Sequence, residues 1–384
     1  MTEDPLTVLT SEPESTSRLT AAGMVVAGRR RVRRRRAASA LTAAAVVLAM
    51  TAGIAAATKQ RRPAPEPGKP VPAPTGCTVT RLPGTARPMM LALDPSGVHT
   101  AADAGSDVVT WSVGGEEHSV AVGGGANVTV GAVNASGVVV GWLQRNGHDV
   151  PYAIQGRVRE LALPSGATGA RANGVNAAGD VVGEATLAGG AVRAVLWRHG
   201  SAAPAELLPT PASRRSAAYD IGDDGRVVGA LDDGAAPYLW QPDGTGSALP
   251  TPPGRPGGIA TRITGDWVDG PVDYLATTVA DSVSGRRSGV AAPIWARWNL
   301  RTGTVEVVDL DPISGGAGVT TTGAVLVNTG FGPVLWRPDG VTDLPRPHGF
   351  GTVQSTAVSA DGAVIVGWAT PSSGGSNVPF RWWC

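Results

Sequence analysis

Lysine is almost missing from this 384-residue chain: Lys59 and Lys69 stand against thirty arginines. With the abundant alanine, that skew resembles the usage of a high-GC bacterial genome of the actinobacterial kind, and it carries no chemistry. Aromatic residues are scarce apart from eleven tryptophans. The five histidines, His99, His118, His148, His199 and His348, stand singly, so no His-Glu-x-x-His pair is present to hold a catalytic zinc. No Gly-x-Ser-x-Gly elbow occurs, and "GRRSG" at 285–289 does not fit one. The triple glycine at 123–125 lacks the lysine of a phosphate-binding loop. Asp220, Asp223 and Asp224, with Asp232 and Asp233 nearby, lack the closing glutamate of a calcium loop, because Leu231 holds that place. Asp-Gly turns account for them. The expected site therefore contains no catalytic, cofactor-binding or metal-binding residue.

Positive charge is also missing where a nucleic acid would need it. Residues 1–76 hold 12 basic and 5 acidic side chains, which leaves 20 basic and 26 acidic ones in 77–384. The larger part is mildly acidic, which excludes binding to a phosphate backbone.

Three segments precede that part. Residues 1–36 form a polar tail, too poor in large apolar residues to fold, that ends in seven arginines within Arg29–Arg36. Ala37–Ala57 then runs 21 residues without a charge. As a helix it would span about 31 Å, the thickness of a bilayer core. The arginine excess before it places the N-terminus in the cytoplasm and the bulk outside. Residues 37–58 are thus expected to be a single transmembrane helix. A cleaved export signal is the competing reading, since "AAA" at 55–57 has the small residues of a cleavage site. Residues 59–76 carry six prolines in eighteen positions and read as a semi-rigid, polyproline-like linker.

From Cys77 onward the chain repeats. "VNAAGDVVG…AVLWRHG…LLP" in 175–209 is echoed by "DIGDDGRVVG…PYLWQPDG…ALP" in 220–250, and again at the end by "AVSADGAVIVGWAT…PFRWWC". Turn glycines fall at Gly97, Gly137, Gly179, Gly225, Gly265, Gly323 and Gly362, spaced by 40, 42, 46, 40, 58 and 39 residues. A period near forty with four short strands per unit predicts an all-β propeller of about seven blades over 77–384. The unit around Gly265 is degenerate and carries an insertion. Trp197, Trp240 and Trp336 end equivalent strands, with Ile154 in that place in the second unit, and are expected to pack between blades. Trp142, Trp267 and Trp368 lie off that position and are the candidates for an exposed platform.

These units resemble the bacterial extracellular HAF repeat, whose pattern is Ala-x-x-Ile-Asn-x-x-Gly-x-Val-Val-Gly followed by Phe-Leu-Trp and Leu-Gly. The asparagine is kept at Asn134 and Asn176, Asp220 and Ser359 stand near its place elsewhere, and Pro replaces the last Gly in most units. The resemblance implies a propeller-like fold and export; it lends no activity.

The two cysteines, Cys77 and Cys384, flank the repeat region. "CTVTRLPG" matches the strand that ends a unit, yet no unit precedes it; "VPFRWWC" matches the tryptophan strand, yet no closing strand follows. The fragments complete one blade, which predicts a disulfide at its seam. The function expected is a monomeric, non-enzymatic, cell-surface binding module for an extracellular protein or carbohydrate. The alternatives are a single-pass signalling protein whose tail recruits a partner and an exported hydrolase or lyase.

Overall fold

The computed structural model describes residues 76–384 apart from 85–87, 89, 115, 124–126, 202–204, 212–213, 274–293 and 311–312. The expected cytoplasmic tail, membrane helix and all but the last residue of the proline-rich linker lie outside the described residues, as does most of the insertion near Gly265. No helix among the described residues is long and apolar enough to cross a membrane.

Seven four-stranded antiparallel sheets form a β-propeller. Blade 1 comprises Leu91–Leu93, Thr100–Ala104, Asp107–Trp111 and Glu117–Ala121. Blade 2 comprises Val128–Val133, Val139–Arg145, His148–Gln155 and Arg157–Glu160. Blade 3 is built from Ala167–Val175, Val181–Leu187, Val192–Trp197 and Glu206–Leu207, and blade 4 from Ser216–Ile221, Val227–Leu231, Ala236–Trp240 and Gly246–Ala248. Blade 5 holds Arg262–Thr264, Trp267–Val272, Ile294–Asn299 and Thr304–Val307; the insertion joins its second and third strands. Blade 6 holds Ile313–Val319, Val325–Thr329, Gly332–Arg337 and Gly340–Asp343. Blade 7 takes Phe350–Val358, Val364–Pro371 and Val378–Trp383 from the end of the chain and its outermost strand, Thr78–Arg81, from the beginning.

That last pairing closes the ring. Thr78 lies opposite Trp383 and Arg81 opposite Phe380. Cys77 and Cys384 form a disulfide with their Cα atoms 4.1 Å apart, as the complementary fragments predict.

The core is divided among the interfaces. Seven hydrophobic clusters each join one blade to the next. A lone four-stranded sheet of this size cannot cover its faces, so neighbours do it. Trp197, Trp240 and Trp336 are 6%, 0% and 7% exposed, which confirms their packing role. Register extends the set: Trp111, Trp298 and Trp382 hold the same position in blades 1, 5 and 7. Five of these indoles reach the preceding blade. Trp111 Nε1 donates to the Pro83 carbonyl, Trp197 to Ala162, Trp240 to Pro209, Trp298 to Pro250 and Trp382 to Pro345, at 2.6–3.0 Å. The Leu-Pro ending of a unit thus does two things. Its leucine is buried, as at Leu82, Leu208, Leu249 and Leu344, and the next carbonyl accepts the neighbour's tryptophan.

The Val-Val-Gly strand has an equally local cause. The first strand carries a bulge in blades 2, 3, 4, 6 and 7. A Cβ on Gly183 would lie 1.8 Å from the Arg171 carbonyl oxygen, and one on Gly367 2.0 Å from that of Gln354, so only glycine fits there. Asn134 fastens its turn by accepting from Ser136 and Val138 N–H and donating to the Asn176 carbonyl of the next blade at 2.9 Å. Register places Gly222, not Asp220, at the asparagine's position in blade 4, because the turn bonds of Asn176 are repeated there by Gly222. Asp220 belongs instead to the wall of the axis.

Candidate functional site

The innermost strands surround an axial cavity of about 400 Å³ to which every blade contributes. One position per blade defines its wall. By pairing with the second strand, Ala92, Ala132, Gly174, Asp220, Arg262, Gly318 and Ala357 are equivalent. Five are alanine or glycine, and two adjacent ones carry opposite charges. All but Gly174 line the cavity. Small residues keep the axis open where seven inner strands converge; a large side chain at each position would fill it.

Blades 4 and 5 therefore form a charged quadrant in an otherwise apolar wall. Asp220 accepts from the backbone N–H of Ile221 and, across the blade interface, from that of Ile263, both at 2.9 Å. Burial raises the pKa of its carboxyl, against the lowering influence of Arg262 and of those two N–H groups. Arg262 donates from Nη1 to the Thr261 carbonyl at 3.2 Å. Asp223 accepts from Ala177 N–H at 2.8 Å, while Asp224 receives Arg226 N–H and Nε. Beneath the wall, Asp269 is fully buried and accepts from Trp295 Nε1 at 2.7 Å. Its Oδ1 has no hydrogen-bond partner among the described residues. Burial pushes this carboxyl up to about 7, with Trp295 and Arg262 opposing the shift and Asp220 reinforcing it.

A second recess of about 300 Å³ lies between blades 3 and 4. Arg171 joins Asp149 at 2.6 Å and Glu184 at 3.3 Å there, its guanidinium 5.5 Å from the Trp142 ring centroid. Burial raises the Glu184 carboxyl, and Arg171 opposes it.

The off-position tryptophans do not form the expected platform. Trp142, Trp267 and Trp368 are all half-buried. Trp267 lies beneath the Arg297 guanidinium at 4.4 Å, and Trp368 packs into the seam between blades 7 and 1. Their rings cover interfaces. His99 lies under the turn at Gly137 and His199 under that at Gly179, so these two serve turns in different blades. Among the described residues no three His, Cys, Asp or Glu side chains gather closely enough to hold a metal. Asp223 and Asp224 lie in the turn before Gly225; Asp223 accepts across the blade interface from Ala177 N–H, and Asp224 accepts from Arg226 of its own turn.

Sequence reasoning passed over Arg262 and Asp269. The signal was present: "GDWVDG" at 265–270, set against "GRVVG" at 225–229, places Asp269 on a valine position. The shorter turn of blade 5 hid that alignment.

No family model and no curated protein matches the sequence. Among solved structures, the chain is similar to the catalytically inactive virginiamycin B lyase from Staphylococcus aureus with quinupristin. That likeness has 12% identity and a TM-score of 0.55, and covers 80% of this chain and 99% of that one. A puromycin hydrolase mutant complexed with PGG is similar at 18% identity and a TM-score of 0.51, over 75% of this chain and 50% of that one. A chain of a mitotic checkpoint complex matches at 16% identity and a TM-score of 0.49, over 85% of this chain and 97% of that one. At these identities the first two likenesses show the fold alone.

Proposed function

We propose that the chain is an exported, membrane-tethered binding module of the HAF-repeat type, whose ring seats a small extracellular ligand in the axial cavity. The observation that carries the binding role is the cavity wall. Five of its seven equivalent positions are Ala or Gly and keep the axis open, while Asp220 and Arg262 give one side a fixed polarity. A concave, largely apolar site with a few convergent polar groups is what ligand recognition requires. Export is supported by the Cys77–Cys384 bridge, since such bonds persist in oxidising compartments. The arginine run followed by 21 uncharged residues supports the tether.

Two measurements test this. Protease added to wall-stripped cells should remove the ring and leave an intact cytoplasmic tail; a soluble form beginning near Thr58 would instead mean cleavage of the span. Equilibrium dialysis of the full chain against spent culture medium, read by mass spectrometry, should retain a small molecule that Ala132→Phe, which fills the axis, does not retain. Equal retention by both proteins, or none by either, would overturn the axial seat.

A further inference from the structure

The charged quadrant is not a pair of stray substitutions. Asp269 faces Arg262 in register, and its six equivalents, Ala101, Val140, Val182, Val228, Leu326 and Val366, are all apolar and buried. The Asp269 partner, Trp295, departs too: the same place in blades 2, 4, 6 and 7 is proline and in blade 3 alanine. Room for that indole comes from blade 6, where a Cβ on Gly316 would lie 2.1 Å from the ring. Asp220, Arg262, Asp269, Trp295 and Gly316 thus break the repeat together, and the last three fit one another sterically or by hydrogen bond. A buried carboxylate with one oxygen unpartnered costs stability. Local rules broken in concert at such a cost mark a site.

The unspent hydrogen-bonding capacity says what it takes. Asp220 has both oxygens engaged by backbone N–H groups, and Asp224 has both engaged by Arg226. Among the described residues Asp223 uses Oδ1 on Ala177 N–H and keeps Oδ2. Among the same residues Arg262 spends one N–H on Thr261, out of the five that a guanidinium carries. The wall therefore offers a planar cation and, on the neighbouring turn, a carboxylate oxygen. A purely anionic ligand would meet Asp220, Asp223 and Asp224; a purely cationic one would meet Arg262. A ligand carrying both charges satisfies the two sides at once.

We propose that Arg262 anchors the carboxylate of a small zwitterion, of the amino-acid or short-peptide class, in the axial cavity, with Asp223 receiving its ammonium group. This rests on the cavity being the ligand seat.

The test uses the full-length protein in detergent, labelled with ¹⁵N at arginine Nε, and three probes: glycylglycine, sodium acetate and ammonium chloride. The Arg262 Nε–H resonance should shift saturably with glycylglycine at millimolar concentration, and at least about tenfold more weakly with acetate, because the ammonium contact is missing. Arg262→Gln should weaken glycylglycine binding, followed by calorimetry, by about ten- to a hundredfold, and Arg262→Lys by less. Unchanged melting temperatures keep those variants interpretable, and a Gln variant that fails to fold leaves the Lys variant and the resonance shift to decide. Binding that Arg262→Gln leaves intact but Ala132→Phe abolishes would overturn Arg262 as the anchor while leaving the cavity as the seat. Equal affinity for acetate and glycylglycine would overturn the zwitterion, and no saturable shift with any probe would overturn the proposal outright.

Discussion

Replacing Cys77 and Cys384 together by serine removes the covalent lock on the ring without altering its strands. The two residues are 307 apart in sequence. In the chain-entropy treatment a loop of that length removes about 19 cal/mol/K from the unfolded chain, or about 6 kcal/mol at 25 °C. The seam is otherwise held by the four register pairs from Thr78↔Trp383 to Arg81↔Phe380, the Leu82 N–H on the Pro379 carbonyl at 3.0 Å, the Thr80 hydroxyl on the Arg381 carbonyl at 3.4 Å, the Trp111 indole on the Pro83 carbonyl, the packing of Val79 and the burial of Leu82. A domain of this size unfolds with an entropy of about 0.65 kcal/mol/K, so the variant should melt about 9 °C lower. The assay is a calorimetric scan of the oxidised protein, the double-serine variant and the wild type under reductant. The last two should coincide. A fall of less than about 2 °C in both would refute loop closure as the source of stability, and would mean that the unfolded chain already keeps its ends together.

Trp240→Ala should cost about 3–5 kcal/mol in urea unfolding, whereas Trp240→Phe should show mainly the loss of the bond to the Pro209 carbonyl, about 1 kcal/mol plus a small packing term. Because burial lifts the Asp269 carboxyl to about 7, the native state holds a proton that the unfolded chain releases near pH 4. Stability is then fully present below pH 4, falls as pH rises, and levels off above pH 7, losing about 3 kcal/mol between pH 5 and pH 8. Asp269→Asn should flatten that slope in chemical unfolding at several pH values; an unchanged slope would show that another group sets it. Arg381 is buried, its Nε lacks a partner among the described residues, and desolvation lowers its pKa. The equivalent position is leucine in blades 3, 4 and 6 (Leu196, Leu239 and Leu335), Thr110 in blade 1, Ala153 in blade 2 and arginine only in blade 5 (Arg297), so Arg381→Leu should be neutral or stabilising by about 1 kcal/mol; a loss above about 2 kcal/mol would mean that its bonds to Thr100 and Ser112 outweigh its desolvation.

The ring was legible because it rests on periodic, local requirements. All seven turn glycines have positive φ, from 57° to 87°, and their spacing alone marked the blades. The seam was legible because two incomplete units, read together, made a whole one. Trp298 was harder to place, since Trp295 beside it blurs the frame and the insertion displaces it. Arg262 and Asp269 were illegible for a different reason. Their meaning is a departure from what six other blades carry, and a departure shows only when register is known to the residue. The same holds for Trp142, Trp267 and Trp368. Sequence places them off the repeat, but whether an aromatic ring covers an interface or faces water depends on partners such as Arg171 and Arg297 in distant segments.

The mixed parentage of blade 7 also decides how the ring would carry tension. A pull reaching Thr78 from the N-terminal side loads an edge strand, and four backbone pairs at an edge can peel one after another. Cys77 sits ahead of the first of those pairs and is bonded to Cys384. Traction entering at Cys77 therefore passes into the end of Val378–Trp383, a strand flanked on both sides and held to Val364–Pro371 by six further pairs. Load applied at the entry of the ring is thus shared with an interior strand before the edge can give way.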